Sequence, residues 1–234
     1  MTDSRLVSSI VVVVTVLLVV VLSTVGYGRV KARWDDRHAA IGAGFVSNEP
    51  AAGPGPTDDV SLVGDSITEQ SEAVLHEVLD PSFKVRIRGR GGYRIEELEP
   101  YAIELSTTKP EQVVINLGTN DVLKNWPVQK ATAAMNRMVT TFKSARCVYI
   151  VTITEGMRSE IDPNQSARAL VFNLELRRIA AAHNVRIIDW AALIRDDAAA
   201  GSPRGALTSD TVHPTEEGRR RLAELYREAL TGCS

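Results

Sequence analysis

The sequence predicts an α/β domain built on a parallel sheet and carried behind an apolar N-terminal segment; three observations predict it. From residue 58 onward, short apolar runs alternate with segments of helical periodicity, the pattern of parallel strands joined by crossover helices. Polar residues able to do chemistry follow directly on those runs, Ser66 and Asn120 among them, at the strand ends where α/β sheets keep their sites. Ahead of this pattern, every residue of 6–25 is Leu, Ile, Val, Ser or Thr.

With 234 residues, 24% charged and 44% hydrophobic, the chain is sized for one globular domain plus an appendage. A net charge of -2 argues against nucleic acid as a partner, since a binder is expected to show a basic face and a much higher pI. The appendage is long enough to cross a bilayer as one helix, longer than a signal-peptide core, and no small-residue cleavage site follows it. Its many β-branched residues and lack of a polar face suit lipid better than a protein core. The expected division is a membrane anchor at 1–28, an Ala/Gly/Pro-rich linker at 29–57 and the folded domain at 58–234. The linker composition buries too little apolar surface to fold by itself.

Orientation draws on opposed signals. Arg29, Lys31, Arg33 and Arg37 follow the apolar segment and only Arg5 precedes it, which by the positive-inside rule favours a cytoplasmic domain. An N-terminal anchor is a common tether for exported domains, and Cys147 and Cys233 form a pair that can be oxidised. The expectation is an extracytoplasmic domain; two cysteines fit a disulfide or two free thiols equally well.

Within the domain, 60–63 reads as a first strand and 69–79 as a helix with Ala73, Val74, Leu75 and Val78 inward. Residues 84–88 alternate apolar with basic and read as a second, less buried strand, followed by a Gly-rich loop at 89–92 and a helix at 95–105, either continuous or broken at Pro100. A third strand at 112–117 precedes a helix opened by Pro127, whose stripe is Val128, Ala131, Met135, Met138 and Phe142. A fourth strand at 147–153 leads into a polar loop at 154–161. Asp162, Pro163 and Gln165 have N-cap, N1 and N3 spacing for a helix to 183 with Phe172, Leu176 and Ile179 inward. A fifth strand at 185–188, a helix at 191–200 and a last helix at 215–230 complete the domain.

Ser66 sits after Val63-Gly64-Asp65, where a buried strand turns into a helix. A serine hydroxyl is a poor nucleophile until an imidazole accepts its proton and a carboxylate fixes the imidazole tautomer. Of the four histidines, His38 falls in the linker and His76 and His183 on helices, where surface, cap or core roles are expected; His213 alone stands three residues after an acid, Asp210, with Pro214 behind it. Acyl transfer further needs donors for the developing oxyanion. The main-chain N–H of Ser66, a glycine amide of the 89–92 loop and the side-chain amide of Asn120 all fall at strand carboxyl ends.

The segments VGDSIT, the Gly-rich loop, INLGTND and SDTVHPTEEG resemble the four signature blocks of the SGNH hydrolases, the GDSL-like lipase and esterase family, over about residues 58–230. The resemblance implies a three-layer α/β/α fold with a five-stranded parallel sheet. It also implies Ser66 as nucleophile, His213 as base and Asp210 as orienting acid, with Ser66, Gly92 and Asn120 as oxyanion donors. Gly91 competes with Gly92; the Gly-x-x-Gly spacing from Gly89 prefers Gly92. Glu69 and Gln70 depart from the small residues the family often has there, which makes the groove more polar than a lipase's. The expected function is a membrane-tethered serine esterase for small-molecule or cell-envelope esters of short acyl chains, since no long apolar lid segment is present, with no metal or organic cofactor. An O-acyltransferase using the same three residues, or a non-catalytic binding module on the same fold, are the alternatives. The pocket walls are expected from loops 92–94, 122–126, 154–161 and 200–208, with Tyr93 and Trp126 either lining them or packing in the core.

Overall fold

The computed structural model describes residues 45–48, 58–158, 162–201 and 207–233. Every described residue lies in one compact unit, 41–234. The expected anchor at 6–25 lies outside the described residues; among the described residues no helix is long and apolar enough to cross a membrane.

Six strands, β1 (Phe45–Asn48), β2 (Asp59–Gly64), β3 (Lys84–Arg90), β4 (Gln112–Asn116), β5 (Cys147–Val151) and β6 (Arg186–Ile188), form one sheet in the order β1-β3-β2-β4-β5-β6. The last five are mutually parallel, as expected. The addition is β1, which pairs antiparallel with β3 in the register Phe45 to Arg90 through Asn48 to Ile87. It comes from the stretch assigned to the linker, so the expectation of an unfolded tether up to residue 57 fails at these four residues. Pairing with an otherwise open edge of β3 supplies hydrogen bonds that composition alone does not reveal.

The described helices are α1 (Ser66–Leu79), α2 (Ile95–Thr107), α3 (Thr119–Leu123), α4 (Val128–Thr141), α5 (Gln165–His183), α6 (Trp190–Ala199) and α7 (Glu216–Thr231). One core joins Ile95, Leu98, Met135, Met138, Phe172 and Leu176 of α2, α4 and α5 to Val63, Val113, Ile115 and Ile150 of the sheet. The opposite core joins Leu75, Leu79, Trp190, Leu222 and Tyr226 of α1, α6 and α7 to Leu62, Val114 and Tyr149. Both faces of the central strands are therefore covered, which is why their sequences read as unbroken apolar runs.

Some elements differ from expectation for local reasons. Helix α1 starts at Ser66 because Asp65 caps it; its buried positions are Ser66, Ile67, Thr68, Ser71, Leu75 and Leu79, Val74 and Val78 are half-buried, and Ala73 faces solvent. Pro100 sits inside α2 without breaking it, since the apolar stripe Ile95, Leu98, Ala102 and Leu105 continues through the proline. The residue capping α5 is Asn164, whose N–H donates to Asp162 Oδ1 at 2.9 Å, so Asp162 shapes the turn before the helix. The basic face of β3 is partly open to water, with Lys84, Arg86 and Arg90 half-buried, but Arg88 is buried and donates to Glu104 on α2 at 2.8 Å. Its opposite face, Val85 and Ile87, enters the second core.

Cys147, at the start of β5, and Cys233, just beyond α7, form a disulfide that closes a separation of 86 residues. The alternative of two free thiols is thereby removed. A cross-link over a loop of this length stabilises by restricting the unfolded chain, by about 2–4 kcal/mol. Replacing both cysteines by Ser in the full chain is expected to lower Tm by about 10 °C, measured by thermal melting. An unchanged Tm would show the cross-link to be thermodynamically silent.

Candidate active site

The site is built where β2 passes into α1. Gly64 is required by close approach, because a Cβ there would lie 1.8 Å from Thr68 Oγ1. Asp65 Oδ1 accepts from Ile67 N–H at 3.1 Å and caps the helix. Ser66 is the first helical residue, so its main-chain N–H has no acceptor within the helix and lies at the positive end of the helix dipole.

His213 reaches Ser66 from the loop before α7. Asp210 Oδ1 accepts from the main-chain N–H groups of Val212 at 3.1 Å and His213 at 2.7 Å, while its Oδ2 accepts from His213 Nδ1 at 2.7 Å. Nδ1–H donating to the carboxylate leaves Nε2 as the acceptor for the Ser66 hydroxyl, 3.0 Å away. The loop is closed below by Ser209 N–H donating to His213 O at 2.8 Å and is turned by Thr211 at φ 70°. Ser66, His213 and Asp210 thus stand in one hydrogen-bonded line across 147 residues of sequence.

The neighbours of β2 bring the expected oxyanion donors. Gly92 turns at φ 74° just beyond β3. Asn120 stands in α3, just beyond β4, and its buried Nδ2 has no hydrogen-bond partner among the described residues. Gly118 sets this turn at φ 118°, and a Cβ there would lie 2.2 Å from Phe172 Cε1, so glycine is needed for both backbone and packing. Between the two candidate glycines, Gly91 N–H is already committed to Glu69 Oε2 at 2.7 Å.

The other sequence candidates fall elsewhere. His76 Nδ1 pairs with Asp80 at 3.0 Å along α1, and His183 Nε2 with Asn136 Oδ1 at 2.8 Å, neither of them with Ser66. Tyr93 and Trp126 both pack against the first core, half-buried, with the Arg90 guanidinium 4.4 Å over Tyr93 and that of Arg94 3.8 Å over Trp126. Among the wall loops, residues 159–161 and 202–206 lie outside the described residues. Among the described residues, no group of three His, Cys, Asp or Glu side chains is placed to share a metal ion.

Sequence reasoning missed two buried acids. Asp65 caps α1 and Asp121 lies in α3, and both are buried. Burial pushes Asp65 up to about 6 against the Ile67 N–H bond and the attraction of His213. Burial likewise pushes Asp121 up to about 7, opposed by the Ile95 N–H it accepts and by Arg94, and reinforced by the charge of Asp65. Asp210 behaves oppositely: burial acts upward, but the side-chain and main-chain hydrogen bonds from His213 outweigh it and hold the group at about 2.

The signs determine the pH response. Asp65 and Asp121 titrate above their unfolded value of 3.8, so the stability they contribute is complete below that pH and is lost as pH rises through about 6 and about 7. Asp210 contributes stability above 3.8 that is lost as pH falls towards about 2. Thermal melts of the full chain should therefore show Asp121→Asn gaining on the parent protein as pH rises from about 4 to about 8. A Tm difference that does not vary with pH would refute a buried charge at this position.

A model of the GDSL-like lipase/acylhydrolase family matches residues 62–221, from β2 into α7. No curated protein sequence matches the chain. Solved structures do: the acetylxylan esterase Axe2 from Geobacillus stearothermophilus, at 20% identity, covers 74% of this chain and 94% of its own with TM-score 0.62. The acetyl xylan esterase AlAXEase gives 22% identity, 74% and 99% coverage and TM-score 0.63. A lipolytic protein of the G-D-S-L family from Veillonella parvula DSM 2008 gives 19%, 75%, 100% and 0.65. At such identities the likeness carries the three-layer fold, and the family match carries the assignment. The strand order, the match across more than half the chain and the four sequence blocks thus agree, and the chain belongs to the GDSL-like lipase/acylhydrolase family, the SGNH-type serine hydrolases of ester bonds.

Proposed function

We propose that the protein is a membrane-tethered serine esterase that hydrolyses short-acyl carboxylic esters through an acyl-enzyme on Ser66. The observation that carries this reading is the line from Ser66 Oγ to His213 Nε2 at 3.0 Å and from His213 Nδ1 to Asp210 Oδ2 at 2.7 Å. Ser66 Oγ attacks the ester carbonyl as its proton passes to Nε2, and Asp210 stabilises the imidazolium that forms. The oxyanion receives the N–H groups of Ser66 and Gly92 and the Asn120 side-chain amide, whose unpartnered Nδ2 suits a group that finds its acceptor only during reaction. Collapse of the tetrahedral adduct breaks the bond to the alcohol oxygen, which takes the proton from Nε2. Water then gives a proton to Nε2 and attacks the acyl carbonyl, and collapse of the second adduct breaks the bond to Ser66 Oγ, which takes the proton back from Nε2 as the acid leaves.

A short acyl group is supported by the absence of a long apolar lid segment from the sequence and by the acetyl esters named for Axe2 and AlAXEase. Tethering rests on the apolar run at 6–25, with 1–28 as anchor, 29–57 as linker around β1 and 58–234 as the hydrolase domain. The Cys147–Cys233 disulfide favours an oxidising, extracytoplasmic location over the one suggested by Arg29, Lys31, Arg33 and Arg37. The substrate is then a small-molecule or cell-envelope ester.

The full chain in detergent should release nitrophenol from p-nitrophenyl acetate, and Ser66→Ala should reduce kcat by about 10³-fold or more. Equal rates from both proteins would falsify the assignment of the nucleophile. Across a series of p-nitrophenyl esters, kcat/KM should fall as the acyl chain lengthens beyond a few carbons; a maximum at long chains would sink the short-acyl reading.

A further inference from the structure

Two charged residues outside the proposed triad grip the loop that carries Gly92. Glu69 lies in the first turn of α1, three residues after Ser66, and its Oε2 accepts from Gly91 N–H at 2.7 Å. Lys124, the residue capping the end of α3 and four residues after Asn120, donates from Nζ to Gly92 O. Hydrogen bonds with one charged partner are shorter and stronger than neutral ones. These two tie up the outer groups of the Gly91–Gly92 pair, the N–H on one side and the C=O on the other. The peptide group between them, with the Gly92 N–H, takes part in neither bond. The end of β3 also runs close against α1, since a Cβ at Gly89 would meet Glu69 N at 3.3 Å.

We propose that Glu69 and Lys124 are positioning residues that lock the three oxyanion donors into one geometry, by fastening the Gly92 loop to the helix that starts with Ser66 and to the helix that carries Asn120. This rests on the esterase reading and deepens it. Donors gain their effect by being fixed before charge develops, so slack in this loop lowers transition-state binding more than ground-state binding. Glu69, a departure from the small residues often found there, thereby acquires a role other than lining the groove.

The test uses the full chain, with kcat and KM measured on p-nitrophenyl acetate alongside hydrogen exchange at the Gly91 amide. Glu69→Ala should lower kcat about tenfold or more with KM changed less than about twofold. Glu69→Gln, which keeps an acceptor oxygen, should recover most of that loss, and Lys124→Met should lower kcat by a smaller factor. A wild-type kcat in Glu69→Ala, a loss confined to KM, or a Gln variant no better than Ala would overturn the proposal. Gly91 N–H should exchange slowly in the parent protein and lose that protection in Glu69→Ala at unchanged Tm; fast exchange in the parent would overturn it as well. Exchange reads the contact whether or not an ester is cleaved, so an inactive but protected chain would fault the esterase reading and not the grip.

Discussion

The passage from β2 to α1 is the constraint on which the site depends. Only glycine fits at position 64 against Thr68, and only a capping residue at 65 lets a helix begin at Ser66 with its first N–H groups unpaired within the helix. Because β2 lies between β3 and β4, the two loops beside it fall on either side of Ser66. Gly92 and Asn120 are therefore neighbours of the serine through sheet order, and parallel pairing sends all three strand ends in the same direction.

His213 arrives by a different route and needs its own support. Its loop is held by the two main-chain N–H groups that Asp210 Oδ1 accepts and by the seat of α7, where a Cβ at Gly218 would lie 1.9 Å from Leu207 O. The cost of concentrating acids here appears at Asp65 and Asp121, whose burial is only partly offset by a main-chain N–H each, from Ile67 and from Ile95. Asp210 has three hydrogen bonds, stays half-buried and remains firmly ionised. Three acids near one site thus hold different protonation tendencies because their desolvation and donor counts differ.

Much of this was legible because the chemistry lies close in sequence to the elements that carry it. Ser66 and Asn120 follow apolar runs, and Asp210 and His213 are three residues apart, so strand patterning and spacing suffice to nominate them. The preference for Gly92 came from spacing alone; the commitment of Gly91 N–H to Glu69 is a tertiary contact with no sequence signal. Strand β1 was illegible because its four residues sit among Ala, Gly and Pro and pair only once β3 offers an edge. The burial of Asp65 and Asp121 was not legible because composition does not report it, and the inward placement of Ala73 fails because the buried stripe of α1 runs through Ile67, Ser71, Leu75 and Leu79.

Strand β1 and the grip on Gly92 belong to one structural problem. The strand β3 that leads to the Gly92 loop would be the sheet's edge without β1, and an edge strand is free to bend and to pair elsewhere. Antiparallel pairing holds it only as far as Arg90, the partner of Phe45. Among the described residues no strand pairs with the chain beyond Arg90, and the glycines there let the backbone turn. Side chains from the flanking helices must then do what the sheet cannot. Glu69 and Lys124 meet the first two residues after the ladder ends, the place where restraint by the backbone gives way to restraint by charge.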